Sequence, residues 1–210
     1  RRSSAASDVY KRQVLIILAD VPSFGYRPRD IRNGLSMPPK MTMTNIINAA
    51  KRPHWALQTL IHGQPSFEVL NPYMSKNLNL NQLAKFMDAT FSGRLNEEKI
   101  KKILDLWKGK LVLKGAESAH DVQKAYQMGL DGVIISNHGG RQVDVGQATI
   151  DSLKDIAPLY KDKLTVMMDS GIRGGADVAR VMATGADFSF LGRTFMSVSY
   201  THLRAHETTP

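Results

Sequence analysis

Short apolar runs alternate with amphipathic stretches along most of this chain. The run VLIILA at 14–19 ends at Asp20, which predicts a strand buried on both faces, as in a parallel sheet. Two prolines and a glycine at 21–30 predict a loop. Residues 31–95 are irregular, with candidate short helices at 44–50, 53–62 and 81–88. From Asn96 the pattern is regular. Asn96 reads as an N-cap, Glu97 and Glu98 favour the helix dipole, and Ile100, Ile103, Leu104 and Trp107 share a face before Gly109. A strand follows at 111–115. Ser118 with Asp121 caps a helix that runs to Met128 and stops at Gly129. The remaining pattern predicts strands at 132–136, 164–168 and 188–191, and helices at 149–160 and 175–184.

Strands and helices of this length in alternation mean a parallel sheet covered by helices, an α/β fold. A local unit repeats: Gly129-Leu130-Asp131 leads into one strand and Gly185-Ala186-Asp187 into another. Five strands fit part of a doubly wound sheet or part of a β/α barrel. In both architectures ligands bind at the carboxyl ends of the strands. Those ends carry Asp20, Lys114, Ser136 with His138, Asp169 with Arg173, and Gly192 with Arg193. Two carboxylates, three cations and a histidine gathered there point to an anionic ligand.

Composition narrows the picture. The chain has 210 residues, enough for one sizeable core, and no cysteine, which removes disulfides, thiolate nucleophiles and cysteine metal sites. No apolar run approaches the roughly 18–20 residues that span a bilayer, and the first run, at 14–19, is too short for a signal peptide. The net charge is +9. No arginine-rich run or aromatic-studded basic strand directs that charge to nucleic acid. The ends, RRSSAASDVYKRQ at 1–13 and VSYTHLRAHETTP at 198–210, have no apolar period and resemble translated adapter sequence foreign to the fold. His202 and His206 lie four apart in the second of these, a spacing that would hold a metal only on a helix; no metal site is assigned. The stretch 37–62 is basic and holds Trp55 among Leu, Ile and Met. It reads as a surface helix pair or as an interfacial membrane or partner contact.

The chemistry centres on SNHGGRQVD at 136–144. His138 can take and return protons near neutral pH. Arg141, three residues on, can hold a carboxylate in a fixed plane. A base beside such a clamp suits chemistry at the carbon next to a carboxylate. Gly192-Arg193 and the run from Asp169 through Ser170, Gly171, Ile172 and Arg173 offer backbone N–H groups and guanidinium to a phosphate. Lys114 fits a Schiff-base lysine, a cofactor contact or a surface charge. There is no serine elbow and no metal cluster.

SNHGGRQVD, Lys114-Gly115, DSGIRGGADV and Leu191-Gly192-Arg193 together resemble the FMN-dependent 2-hydroxy-acid dehydrogenases and oxidases: glycolate oxidase, flavocytochrome b2, mandelate dehydrogenase and bacterial L-lactate dehydrogenase. The loop FGYRPRDIRNGLSMPPK looks most like the L-lactate dehydrogenase branch. The resemblance implies a partial TIM (β/α)8 barrel at 14–197, strands four to eight, with 21–95 as the long active-site loop region after strand four. It implies FMN as cofactor and oxidation of an L-2-hydroxy acid, L-lactate first among them, to the 2-oxo acid. His138 would be the base and Asp20 its carboxylate partner. Arg141 and Arg27 would hold the substrate carboxylate. Lys114 and Ser136 would contact the flavin; Asp169, Ser170, Gly171, Ile172 and Arg173 its ribityl and phosphate part; Gly192 and Arg193 its phosphate. The proton removed would be that of the hydroxyl or that of the α-carbon. A quinone, cytochrome or oxygen would accept the electrons. The complete enzyme would be a cytoplasmic homo-oligomer, with a possible peripheral contact on the inner face of the cell membrane. Leu18 stands where the family usually has threonine. The first three strands would lie outside this chain, so the fragment itself would be inactive. The alternatives are a flavin-free phosphate-binding barrel enzyme and a non-catalytic half-barrel.

Overall fold

A computed structural model of the chain describes residues 13–21, 28–34, 42–63, 82, 86, 95–142 and 145–198. The chain divides into two compact units, residues 1–22 with 94–210, and residues 23–93.

The first unit is a five-stranded sheet with helices. Strand β1 is Val14–Leu18, β2 Lys110–Ala116, β3 Gly132–Ile135, β4 Thr165–Met168 and β5 Phe188–Ser189. All four pairings are parallel and the order in space is the order in sequence. A doubly wound sheet reverses its strand order at a switch point; this sheet does not. Its helices also contribute to one core only. Ile100, Val122, Ala125, Leu153, Ile156, Ala157 and Val181 from the helices cluster with Leu111, Leu113, Val133, Ile135, Val166 and Met168 from the strands. Sequential parallel strands covered on one side are the wall of a β/α barrel. The fold is a partial TIM barrel.

The helices of this unit, numbered after the three of the second unit, are α4 (Glu97–Leu106), α5 (Ala119–Gln127), α6 (Thr149–Tyr160), α7 (Gly175–Ala183) and α8 (Arg193–Val198). Their caps follow the sequence pattern. Asn96 Oδ1 accepts from Lys99 N–H at 3.0 Å, and Ser118 Oγ accepts from Asp121 N–H at 3.2 Å. The repeated Gly-x-Asp unit has a structural cause at each position. Gly129 and Gly185 have φ of +80° and +110°; they close α5 and α7 in the left-handed conformation that glycine tolerates best. Leu130 and Ala186 are buried. Asp131 and Asp187 then bind the neighbouring strand twice. Asp131 N–H donates to Leu111 O and its Oδ2 accepts from Leu111 N–H at 2.9 Å; Asp187 does the same to Val166, with Oδ2 at 2.8 Å.

The strand at 14–19 was expected to be buried on both faces, and here the structure differs. Leu15 and Ile17 pack on the core, but Val14, Ile16 and Leu18 are 49%, 40% and 47% exposed. They point to the barrel interior, where among the described residues β2 alone pairs with this edge strand. In register they join a row across the inner face: Leu18, Lys114, Ile134, Met167 and Phe188. Ile134, mid-sheet, is buried; Phe188, at the far edge, is 55% exposed and packs edge-to-face on Phe190 at 5.0 Å. The last strand is also shorter than the expected 188–191: after Phe190 N–H bonds to Met168 O, the chain turns into α8.

In the second unit α1 is Pro28–Arg32, α2 Met43–Ala50 and α3 Pro53–His62. The first falls partly in the expected loop at 21–30, because a proline is well suited to open a helix. The other two match the candidate helices. Of the candidate helix at 81–88, only the helical Gln82 and Phe86 are described.

Candidate functional site

Side chains alternate faces along a strand. On the inner face, past the row that holds Lys114, β1, β3 and β4 therefore run out into Asp20, Ser136 and Asp169. These four polar groups are held together by their own hydrogen bonds. Ser136 is fully buried. Its hydroxyl accepts from Lys114 Nζ at 2.5 Å and from His138 N–H at 3.1 Å, and donates to Asp20 Oδ2 at 3.3 Å. One hydrogen and two lone pairs are all a hydroxyl has, so any further contact from Ser136 must come from its backbone. Lys114 also ion-pairs with Asp169 Oδ2. Two of its three N–H groups are then used among the described residues, which leaves one for a ligand.

His138 sits just beyond β3 in a turn of left-handed residues, with φ +55° at His138, +71° at Gly139 and +70° at Gly140. Asn137 builds this turn: its Oδ1 accepts from Gly139 N–H at 3.0 Å and from Gly140 N–H at 3.2 Å. Asn137 received no role from the sequence, although an asparagine before a glycine pair signals such a turn. The turn presents the His138 ring to Asp20, with Nδ1 3.3 Å from Asp20 Oδ2. The Asp20 side chain is only 9% exposed. With Nδ1–H on the carboxylate, Nε2 is left to take a proton. Asp20 Oδ1 has no hydrogen-bond partner among the described residues.

Gly115 is a second residue without an assigned role. Its φ is +95°, and a Cβ there would lie 2.5 Å from the Asp20 Cβ. Only glycine lets β1 bring Asp20 this close. The signal in the sequence is the pair Lys114-Gly115, a glycine directly after the strand-end lysine. Past β2, burial and then the charges of Asp20 and Asp121 hold the Glu117 carboxyl above its usual range.

Lys114, His138, Arg141, Arg173 and Arg193 all line one cavity of about 310 Å³, with Asp169, Ser170, Gly171, Ile172 and Gly192 also in its wall. A second cavity of about 480 Å³ shares Gly139, Ser170, Gly171, Ile172, Arg173 and Arg193 with it. The expected site residues are thus brought together at the strand ends, with Asp20 and Ser136 behind them. Arg27 lies outside the described residues. The α7 N-terminus is partly occupied: Arg173 N–H donates to Asp177 Oδ2 at 3.0 Å. That bond, reinforced by Arg180, keeps the Asp177 carboxyl below its ordinary range. The side chains of Arg173 and Arg193 line the cavity beside this helix end. Arg193 Nη2 also donates to Gly139 O at 3.0 Å, tying α8 to the His138 turn.

The family FMN-dependent dehydrogenase matches residues 4–202. The L-lactate dehydrogenase of Bartonella quintana (strain Toulouse) is 37% identical over 185 residues, 88% of this chain and 48% of that protein. The L-lactate dehydrogenase of Vibrio parahaemolyticus serotype O3:K6 is 36% identical over 183 residues, 87% and 48%. The chain spans about half the length of the curated relatives it matches. Among solved structures, the monotopic membrane protein (S)-mandelate dehydrogenase superposes with a TM-score of 0.76 at 31% identity, over 96% of this chain and 54% of that one. The recombinant flavin-binding domain of baker's yeast flavocytochrome b2 gives 0.62 at 25% identity, over 94% and 40%. The match over nearly the whole chain, and relatives above 30% identity, show that the chain belongs to the FMN-dependent dehydrogenase family.

Proposed function

We propose that the protein oxidises an L-2-hydroxy acid to the 2-oxo acid with FMN, and that L-lactate is its substrate. The observation that carries this reading is the convergence of His138, Arg141 and Lys114 on one cavity, with Asp20 behind the histidine. The donor set fits FMN. The free N–H of Lys114 suits the electron-rich edge of a flavin, and the guanidinium groups of Arg173 and Arg193 suit its phosphate. When bound, FMN accepts the two electrons that leave the substrate. The chain's own residues do the rest. Arg141 holds the substrate carboxylate, the role that the sequence resemblance also gives Arg27. His138 Nε2 takes the proton from the hydroxyl or from the α-carbon. Asp20 keeps the ring in the tautomer that can do so and stabilises the imidazolium. Quinone, cytochrome or oxygen then serves as the acceptor.

The test restores the barrel with three further family strands and measures bound yellow flavin and lactate-dependent dye reduction. His138→Ala is expected to lower turnover by about 10²–10⁴-fold. Full turnover by that variant would remove His138 as the base. A completed protein that folds without flavin would favour a flavin-free phosphate-binding barrel.

The same proposal includes peripheral membrane contact through 37–62. In α3, Trp55, Leu57, Leu60 and Ile61 are exposed, flanked by Lys51, Arg52 and two histidines. No helix among the described residues is long and apolar enough to cross a membrane. An exposed apolar helix with basic residues just before it can lie in the interface instead. The completed protein should sediment with anionic vesicles and lose that property when 37–62 is deleted; sedimentation unchanged by the deletion would exclude the contact.

A further inference from the structure

Ser170 stands in left-handed backbone, φ +74°, where glycine would carry less strain. Its side chain shows what serine adds. The hydroxyl donates to Asp169 Oδ1 at 2.8 Å and accepts from Gly139 N–H at 2.9 Å. A hydroxyl has one hydrogen. With that hydrogen on Asp169, Ser170 cannot donate it to a phosphate oxygen as well.

These two bonds close a ring. Asp169 takes the Lys114 ammonium on its other oxygen; Lys114 donates to Ser136; Ser136 donates to Asp20; Asp20 holds the His138 ring. From His138 the chain passes to Gly139, whose N–H returns to Ser170. The histidine is thus held twice, through its ring on β1's end and through the next peptide on β4's end. The second hold shares the Gly139 N–H with Asn137 Oδ1 and adds support to a His138 at φ +55°, a conformation that costs a non-glycine residue energy and persists only when its surroundings enforce it. Asn137 supports the turn from within; Ser170 anchors it to a neighbouring strand.

We propose that Ser170 is a positioning residue for His138, setting the turn that aims the imidazole rather than binding the flavin through its hydroxyl. This rests on the reading of His138 as the base. The position of the turn matters because a small misplacement of a catalytic group can cost as much as about a hundredfold in rate.

Two variants separate the hydroxyl from the backbone. Ser170→Ala keeps the strain and loses the hydroxyl; Ser170→Gly relieves the strain and also loses the hydroxyl. Each would be made in the completed, flavin-loaded protein and assayed with L-lactate. Both are expected to lose about tenfold in kcat with KM within about twofold of the parent. The low-field Nδ1–H proton resonance of His138, seen while the ring is held on Asp20, should broaden through solvent exchange in both. A Gly variant with parental kcat and an unchanged resonance would overturn the proposal, since the position would then require only its backbone. Loss of flavin with kcat unchanged at full loading would overturn it in favour of a cofactor contact. A His138→Ala variant that kept full turnover would instead remove the base, and the resonance would still report whether Ser170 holds the ring.

Discussion

Gly115 shows how one missing Cβ can position a carboxylate. An added methyl would meet the Asp20 side chain at 2.5 Å and the Asp20 backbone nitrogen at 2.8 Å. Neither the strand backbone nor a buried carboxylate can yield cheaply. Gly115→Ala should therefore push Asp20 off His138. It is expected to destabilise the fold by about 1–3 kcal/mol, read by urea unfolding, and to lower turnover of the completed protein well beyond that of a surface Gly→Ala change. Turnover equal to the parent would show that Asp20 does not need this approach. At this scale the sequence was informative about residue types and less so about partners. His138, Arg141 and Lys114 were legible because charged groups gather at the carboxyl ends of several strands and within one short motif. The saturation of the Ser136 hydroxyl was not, because it depends on the register that sets β1, β2 and β3 side by side.

The helices and strands were legible where periodicity and caps coincide, as at Asn96 and Ser118. The run at 14–19 has the pattern of a strand covered on both faces, but in this sheet only its outer face is covered. The two Gly-x-Asp units were visible as a repeat, but their work depends on contacts across the sheet. Val166 is fully buried, and Asp187 satisfies its N–H. Asp187→Ala would leave that N–H without a partner and should cost about 1–3 kcal/mol, measured as a lower urea midpoint at unchanged slope. A midpoint equal to the parent would show that the bond contributes nothing net. Asp131 adds a pH dependence. Desolvation pushes its carboxyl up, but the hydrogen bonds from Lys110 and Leu111 outweigh it and leave the group below its ordinary 3.8. A carboxyl with a lowered folded pKa adds stability above its unfolded value and loses it as the pH falls through the folded one. Acid unfolding below about pH 4 should therefore flatten in Asp131→Asn relative to the parent; parallel curves would contradict the assignment.

At the scale of the molecule, the dominant feature is the contrast between the two faces of the sheet. The outer face carries a packed core. The inner face exposes Ile16 and Leu18 at one edge and Phe188 and Phe190 at the other, while the site lies along the same face at the strand ends. An eight-stranded barrel buries such a face, and unpaired edge strands invite association with other chains. The 210-residue chain by itself is accordingly expected to bind a hydrophobic dye and to show no lactate-dependent turnover. Addition of three family strands should abolish the first property and produce the second. A soluble, flavin-bound, active 210-residue product would contradict the need for a closed interior. The most direct measurement mixes the completed, flavin-loaded protein with L-lactate without oxygen and follows the yellow absorbance. The parent is predicted to bleach and His138→Ala to bind flavin yet bleach about 10²–10⁴-fold more slowly. Equal bleaching rates, or no bleaching of the parent by L-lactate, would contradict the function proposed for this site.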